Sequence, residues 1–145
     1  MTQTIPALSI RQPWCYAILS LGKDIENRSW TTSYRGPLLI HAGKAMTKAE
    51  YEDFTEYVTN DTARAILGPV AVPPMKYLER GGIVGIVDLV DCVTESTSPW
   101  FMDEVGFVLD NPRPLPFVPY TGQLGFFKVP VSILPESARE MFANA

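Results

Sequence analysis

The apolar positions of this chain fall in short runs separated by polar and proline-containing stretches, and the period within each run sets the element it predicts. Residues 7–10, ALSI, form a short strand. The SIRQPW turn then leads into a helix over residues 14–21, because Trp14, Ala17, Ile18 and Leu21 recur at i, i+3, i+4 and i+7. Pro13 sits near its first turn, where a missing N–H is tolerated, and Gly22 is placed to cap its end. Residues 24–30 read as a strand with Ile25 and Asn27 on one face and Asp24, Glu26 and Arg28 on the other. In the next strand, residues 36–42, Leu39 and His41 alternate with Leu38, Ile40 and Ala42, so His41 lies off the more apolar face.

Thr47 opens the longest helix with a capping box, its side chain capping the amide of Glu50 while Glu50 reaches back; the acidic sequence through Tyr57 faces solvent. Residues 60–82 are rich in Pro and Gly and read as a long connection with a single helical turn, a lid or a surface excursion. GIVGIVDLVDCV, residues 82–93, is β-branched and alternating, as a central strand would be. Residues 98–102 hold an exposed-looking aromatic pair, Trp100 and Phe101. Residues 105–109 and 124–129 supply two more strands, and PRPLPFVP between them is expected to forbid regular central pairing. A short helix over 137–142 closes the chain on the outside of the sheet. Short strands, one helix between the first two and few Asn-Gly turns point to an α+β fold. The expected form is a small closed or half-closed β-barrel of five to six strands with helices on its outside. A chain of 145 residues has room for one core, so residues 1–145 are expected to form a single domain.

Composition narrows the class. Hydrophobic residues at 46% and charged residues at 19% describe a foldable chain, and no apolar run approaches the ~20 residues that span a bilayer. The N-terminus lacks a basic segment, apolar run and cleavage site, so a soluble, cytoplasmic protein without a membrane partner is expected. Cys15 and Cys92 form no CxxC pair and stand near no histidine cluster, so two buried thiols are preferred over a disulfide or a zinc site. No Walker loop or GxGxxG occurs, and neither a metal nor a cofactor is expected. The net charge of −4 argues against coating duplex nucleic acid. It is unevenly spread: residues 9–44 carry five basic residues (Arg11, Lys23, Arg28, Arg35, Lys44) against Asp24 and Glu26, a net of +3, which leaves −7 for the remainder. A small positive zone on an acidic body suits a compact anionic or polar ligand in a pocket, or reflects ordinary solvated faces.

Within that zone Lys23 and Arg28 offer donors for a phosphate or carbonyl, while Glu26 offers an acceptor for an exocyclic amine. A nucleobase edge presents both kinds of group. Trp14, Trp30 and Tyr34 are candidate stacking surfaces, worth roughly 1–3 kcal/mol per stacked base, though for either tryptophan taken singly a place in the core is the preferred reading. Glu26 and Arg28 equally suit a structural ion pair. The coincidence of Arg11, Gln12, Lys23, Glu26, Arg28 and Arg35 in one folding unit favours a site, with Lys44 as a further cation at its end. His41, the lone histidine, fits either a hydrogen-bonded structural group or a general acid or base. Ser9 has no evident base among its sequence neighbours.

The segments LSIRQPW, GKDIENRSW, YRGPLLIHAGK, GGIVGIVDLVDCV and GQLGFF together resemble the ASCH domain family of the PUA-like superfamily, over about residues 7–127. Gly22, Lys23, Glu26 and Arg28 read G-K-x-x-E-x-R, similar to the family's G-x-K-x-x-E-x-R signature but with the lysine directly after the glycine. The resemblance implies a PUA-like barrel, a cleft between barrel and first helix, and a partner that is RNA or a modified nucleoside, with Arg11, Gln12, Trp14, Lys23, Glu26, Arg28, Trp30, Arg35 and Lys44 around it. It also implies alternatives. A shorter branch of the family removes acyl groups from the N4 of cytidine with lysine, threonine and glutamate; Lys23 matches the lysine, but Glu26 stands in the threonine's place. A metal-independent ribonuclease is the other, with Lys23 or Arg28 stabilising the phosphorane and Glu26 or His41 moving the proton.

Overall fold

The computed structural model describes residues 3–102 and 104–142. Its architecture is α+β, built on a six-stranded mixed sheet with four helices. The strands are β1 (Thr4–Ile10), β2 (Ile25–Arg28), β3 (Gly36–Ala42), β4 (Gly82–Val93), β5 (Val105–Pro119) and β6 (Phe126–Pro130), in the order β2-β5-β4-β3-β1-β6. Only β1 and β3 run parallel; α1 (Trp14–Ser20) and β2 lie between them in the chain. The other pairings are antiparallel. Among the described residues no helix is long and apolar enough to cross a membrane.

The six strands match the expected number, but the ladder is not closed, since β2 and β6 are free edges. Side chains join those edges instead. The Trp30 ring, just beyond β2, stands edge-on to Phe107 of β5 at 5.1 Å and to Phe126 of β6 at 5.2 Å. Arg28 of β2 donates to the Ser9 carbonyl of β1 at 3.1 Å. The sheet therefore curls until its ends meet through an aromatic seam and one arginine.

Strand alternation gives the sheet two buried faces. Leu8 and Ile10 of β1, with Leu38, Ile40 and Ala42 of β3, face the inside of the curl, where Cys15 and Ile18 of α1 cover them. Ile5, Ala7 and Leu39 face the other way, onto Phe127, Leu134, Ala138 and Phe142 around α4 (Glu136–Glu140). In β4 Ile83 and Ile86 share this second face although they are three residues apart. The register shift between Ile83 and Gly85 falls between them and accounts for the break in alternation.

One expectation is met and three change. PRPLPFVP was expected to forbid regular central pairing; β5 does pair with β4 as far as Pro119, but the register shifts twice along this stretch, between Ile83 and Gly85 and between Ile86 and Asp88. Pro112 and Pro116 fall within those shifts, and β2 pairs β5 only as far as Val108, leaving an edge where no donor is needed. The connection over 60–82 holds more than one turn: α3 (Asp61–Leu67) and a 3₁₀ turn at Met75–Tyr77. Asn60 ends α2 (Lys48–Thr59) and caps α3 by accepting from the Ala63 N–H at 2.8 Å. α3 is only seven residues long and buries none of them fully, although Leu67 packs on the cluster around Phe54 and Trp100. Trp100 is buried against Phe54 and Val58 of α2, and Phe101 packs beside it half-buried. Cys15 is buried, whereas Cys92 is only partly so; both are free thiols.

The capping box at Thr47 forms, with Glu50 accepting from the Thr47 N–H at 3.1 Å and Thr47 Oγ1 from the Glu50 N–H at 3.1 Å. Glu50 also takes two hydrogen bonds from the Arg11 guanidinium, at 2.5 and 2.7 Å, which ties α2 to the turn after β1. The Arg11 bond and the cap hold the Glu50 carboxyl down to about 2. Its stabilising contribution is thus complete above the ordinary glutamate range near ~4.3 and is lost as pH falls through about 2. Melting temperature followed from pH 5 to pH 2 should fall in the wild type, and Glu50→Gln should flatten that slope; parallel slopes would contradict the assignment. A second test concerns close approach. A Cβ on Gly82 would lie 2.4 Å from the Val118 carbonyl oxygen, whereas one on Gly43 would make ordinary contact at 3.5 Å from Ser9 Oγ. Gly82→Ala should destabilise the fold by about 1–3 kcal/mol in denaturant melts, with Gly43→Ala much milder.

Candidate functional site

The end of α1 sets the geometry. Gly22 takes the left-handed conformation at φ +75°, and the Lys23 N–H returns to the Ala17 carbonyl at 3.0 Å. The chain then turns into β2 with the Lys23 side chain folded inward, 4% exposed. Its ammonium donates to the Ile25 carbonyl and lies 3.3 Å from Glu26 Oε1. Because Glu26 and Arg28 are two residues apart on one strand, they share a face. Glu26 Oε2 accepts from Arg28 Nε at 3.1 Å and Nη2 at 2.9 Å. Glu26 is itself 8% exposed and Arg28 is half-buried, so the three residues form a Lys–Glu–Arg group of net +1 whose lysine and carboxylate are buried.

A carboxylate has about four lone-pair positions. Among the described residues three are taken, two on Oε2 and one on Oε1, which leaves one acceptor position on Oε1. Burial pushes the Lys23 ammonium below the ordinary lysine range, and the Glu26 charge holds it partly back up.

The group forms the floor of a cleft of about 560 Å³ between α1, the end of β1 and β2. Trp14 forms one wall, propped edge-on by Phe54 at 5.0 Å and Tyr57 at 6.1 Å, with the Lys23 ammonium 5.7 Å from its ring centre. Tyr57, Trp100 and Met102 also line the cleft, the first two packed in one cluster with Trp14, and Arg11 stands at the rim. Asn27 fixes the segment that carries Trp100 and Met102 by donating to the Trp100 carbonyl at 3.0 Å and accepting from the Met102 N–H at 2.9 Å.

Of the residues singled out in the sequence, Arg11, Trp14, Lys23, Glu26 and Arg28 line this cleft. Gln12 does not: it is buried, donating to the Glu79 carbonyl and accepting from the Tyr16 N–H. Trp30 packs in the aromatic seam, and Tyr34 donates to the Pro37 carbonyl at 2.6 Å beside it. Arg35 is exposed elsewhere, donating to the Thr32 and Tyr34 carbonyls and facing Asp91 at 3.7 Å. His41 is 1% exposed, with Nδ1 3.0 Å from Ser9 Oγ and Nε2 2.6 Å from the Tyr120 carbonyl, so both ring nitrogens are engaged outside the cleft. Lys44 and His41 line a neighbouring cavity. Tyr57, Trp100, Met102 and Asn27 were missed as cleft residues. The first three come from segments distant in sequence, and the only local signal was a strand asparagine on the face of Ile25. Among the described residues no three His, Cys, Asp or Glu side chains gather where they could hold a metal ion.

Comparison with known proteins adds the relatives. The family model of the ASCH domain matches residues 8–124. The chain is similar to Activating signal cointegrator 1 of Mus musculus, 35% identical over 89 residues, covering 61% of this chain and 14% of that protein. It is similar to the Homo sapiens protein of the same name, 30% identical over 105 residues, covering 72% of this chain and 17% of that protein. The chain thus spans about a sixth of the length of the curated relatives it matches.

The lowered Lys23 value is testable. The Lys23 amine should titrate below ~10.4 by NMR of its side-chain nuclei, and Glu26→Gln should lower it further by removing the charge that favours the ammonium. Between that lowered value and ~10.4 the unfolded chain holds the extra proton, so this group makes stability rise with pH. Titration of Lys23 at or above the free-lysine value would contradict the burial argument.

Proposed function

This chain belongs to the ASCH domain family, and on that footing we propose that its cleft binds single-stranded RNA or a modified nucleoside. The observation that carries the reading is the Lys23–Glu26–Arg28 floor, its lysine and carboxylate buried, with one acceptor position on Glu26 Oε1 unfilled among the described residues. An exocyclic amine of a base would donate to that oxygen, while the adjacent cations face a base carbonyl or a phosphate. Trp14 offers a ring for the base to lie on, and the cleft volume falls within the ~300–1,000 Å³ typical of small-ligand sites. The preorganisation supports binding as well. Arg28 is held at three points, by Glu26 and by the Ser9 carbonyl, so little side-chain entropy remains to be lost when a ligand arrives.

A hydrolase acting on acylated cytidine, or a metal-independent ribonuclease, is the second reading. The observation that favours it is the buried Lys23 with its lowered proton affinity, the kind of perturbed group that clusters at reactive sites. In that role Lys23 would move a proton or stabilise a developing negative charge, with Glu26 as its partner. His41 lies outside the cleft with both nitrogens engaged, so the geometry favours Lys23 over it. Product formation from N4-acetylcytidine or from RNA in the presence of EDTA, abolished by Glu26→Gln, would move the assignment from binder to enzyme.

Binding is tested by fluorescence anisotropy of a labelled single-stranded RNA at fixed salt. Lys23 is too buried for a clean truncation, since breaking a buried pair costs about 3–5 kcal/mol. The rim supplies a milder variant: Met102 is 61% exposed and lines the cleft. Met102→Asp should weaken RNA binding about threefold or more by placing a negative charge at the mouth, with the melting temperature unchanged. Arg28→Gln should weaken it further. Undiminished affinity in both variants would overturn the reading.

A further inference from the structure

A second cavity, of about 480 Å³, lies on the other side of the Arg28 guanidinium, and the two cavities share Ser9 and Arg28 as a common wall. We propose that it is a phosphodiester subsite: it takes the backbone of the nucleotide next to the base held in the cleft, making the ligand a strand rather than a free nucleoside. This rests on the proposed function of the cleft.

Three observations carry it. The first is charge. Lys44 lines the cavity, is exposed, and among the described residues has no hydrogen-bond or ion-pair partner; no acidic residue lines the cavity. Its stem is seated, because it runs against Gly81, where a Cβ would lie 3.3 Å from Lys44 Cγ. The second is the loop over residues 121–125, TGQLG, all five of whose residues line the cavity. Its N–H groups have no partner among the described residues, since the ladder of β6 begins only at Phe126. Backbone donors and a lysine together form a site for phosphate oxygens without base preference.

The third is that the loop is held in place from beneath. A Cβ on Gly122 would meet His41 Cε1 at 2.7 Å and Ser9 Oγ at 3.1 Å, so the loop backbone rests directly on the Ser9–His41 pair. His41 fixes the same loop through its bond to the Tyr120 carbonyl. The lone histidine thereby acquires a role: it holds the rear wall of this cavity. Arg28 stands at the junction, its Nε and Nη2 used by Glu26 and Ser9 and its remaining Nη1 without a partner among the described residues. A strand crossing from cleft to cavity passes over this guanidinium.

The test compares ligands of two lengths on the full chain. A labelled single-stranded RNA decamer is titrated at several salt concentrations, and the mononucleoside cytidine is titrated calorimetrically. The wild type should bind the decamer more tightly than cytidine. Lys44→Ala should weaken the decamer several-fold, reduce its salt slope by about 0.7, as loss of one phosphate contact predicts for a single strand, and leave cytidine binding unchanged. Equal affinity of decamer and cytidine, or an unchanged decamer slope in Lys44→Ala while Met102→Asp still weakens binding, would overturn the subsite and leave the cleft standing. Absence of binding to either ligand by the wild type would overturn both.

Discussion

One carboxylate holds this structure's working parts in register. Glu26 lies between Lys23, which arrives from the end of α1, and Arg28, which reaches across to β1. Lys23 is buried too deeply to be stable without it, since an unpaired buried charge costs several kcal/mol, and the half-buried Arg28 is held by it through two hydrogen bonds. The same carboxylate therefore locks the exit of the helix, the short edge strand β2 and the approach of β2 to β1. A hydrophobic triplet of similar volume would pack as well, and would leave no polar floor.

That bridge explains why the sheet can remain an open ladder and still behave as a curled surface. β2 is only four residues long, Ile25–Arg28, and pairs on one side with β5. Its other side makes no ladder with β6. The gap is spanned by Arg28 and by the Trp30–Phe107–Phe126 seam. Full backbone closure would seal the end of β1 with strand hydrogen bonds; closure by side chains leaves recesses there, and both cavities open beside Ser9. The fold creates the cleft by the way it fails to close.

Much of this was legible in the sequence wherever one strand or one helix carried the information. The i, i+3, i+4, i+7 stripe of α1, the capping box of α2 and the apolar run of β4 formed as their patterns required. The shared face of Glu26 and Arg28 followed from strand alternation alone. What sequence could not supply was convergence between distant segments. Gln12 and Arg35 look like ligand donors in a basic stretch, yet Gln12 is consumed by Glu79 and Tyr16, and Arg35 by carbonyls of its own turn. Trp30 looks like a stacking platform and is a seam residue. Conversely Trp100, in what reads as an exposed loop, is drawn into a wall of the cleft by an asparagine 73 residues earlier in the chain. The prolines of β5 interrupt regular pairing, as register shifts opposite Pro112 and Pro116, yet the strand continues past them along an edge that β2 does not cover, a fact of pairing and not of composition.

The central claim is that the Lys23–Glu26–Arg28 floor is the point of contact for a nucleic-acid strand. Side-chain NMR during titration with single-stranded RNA reads it directly, through the Arg28 Nε–H and the Lys23 ammonium, with the Trp30 indole N–H as an internal control in the seam. The account predicts saturable shifts at Arg28 and Lys23, with the Trp30 signal left in place. Saturable binding that shifts other surfaces and leaves Arg28 and Lys23 unmoved would contradict it.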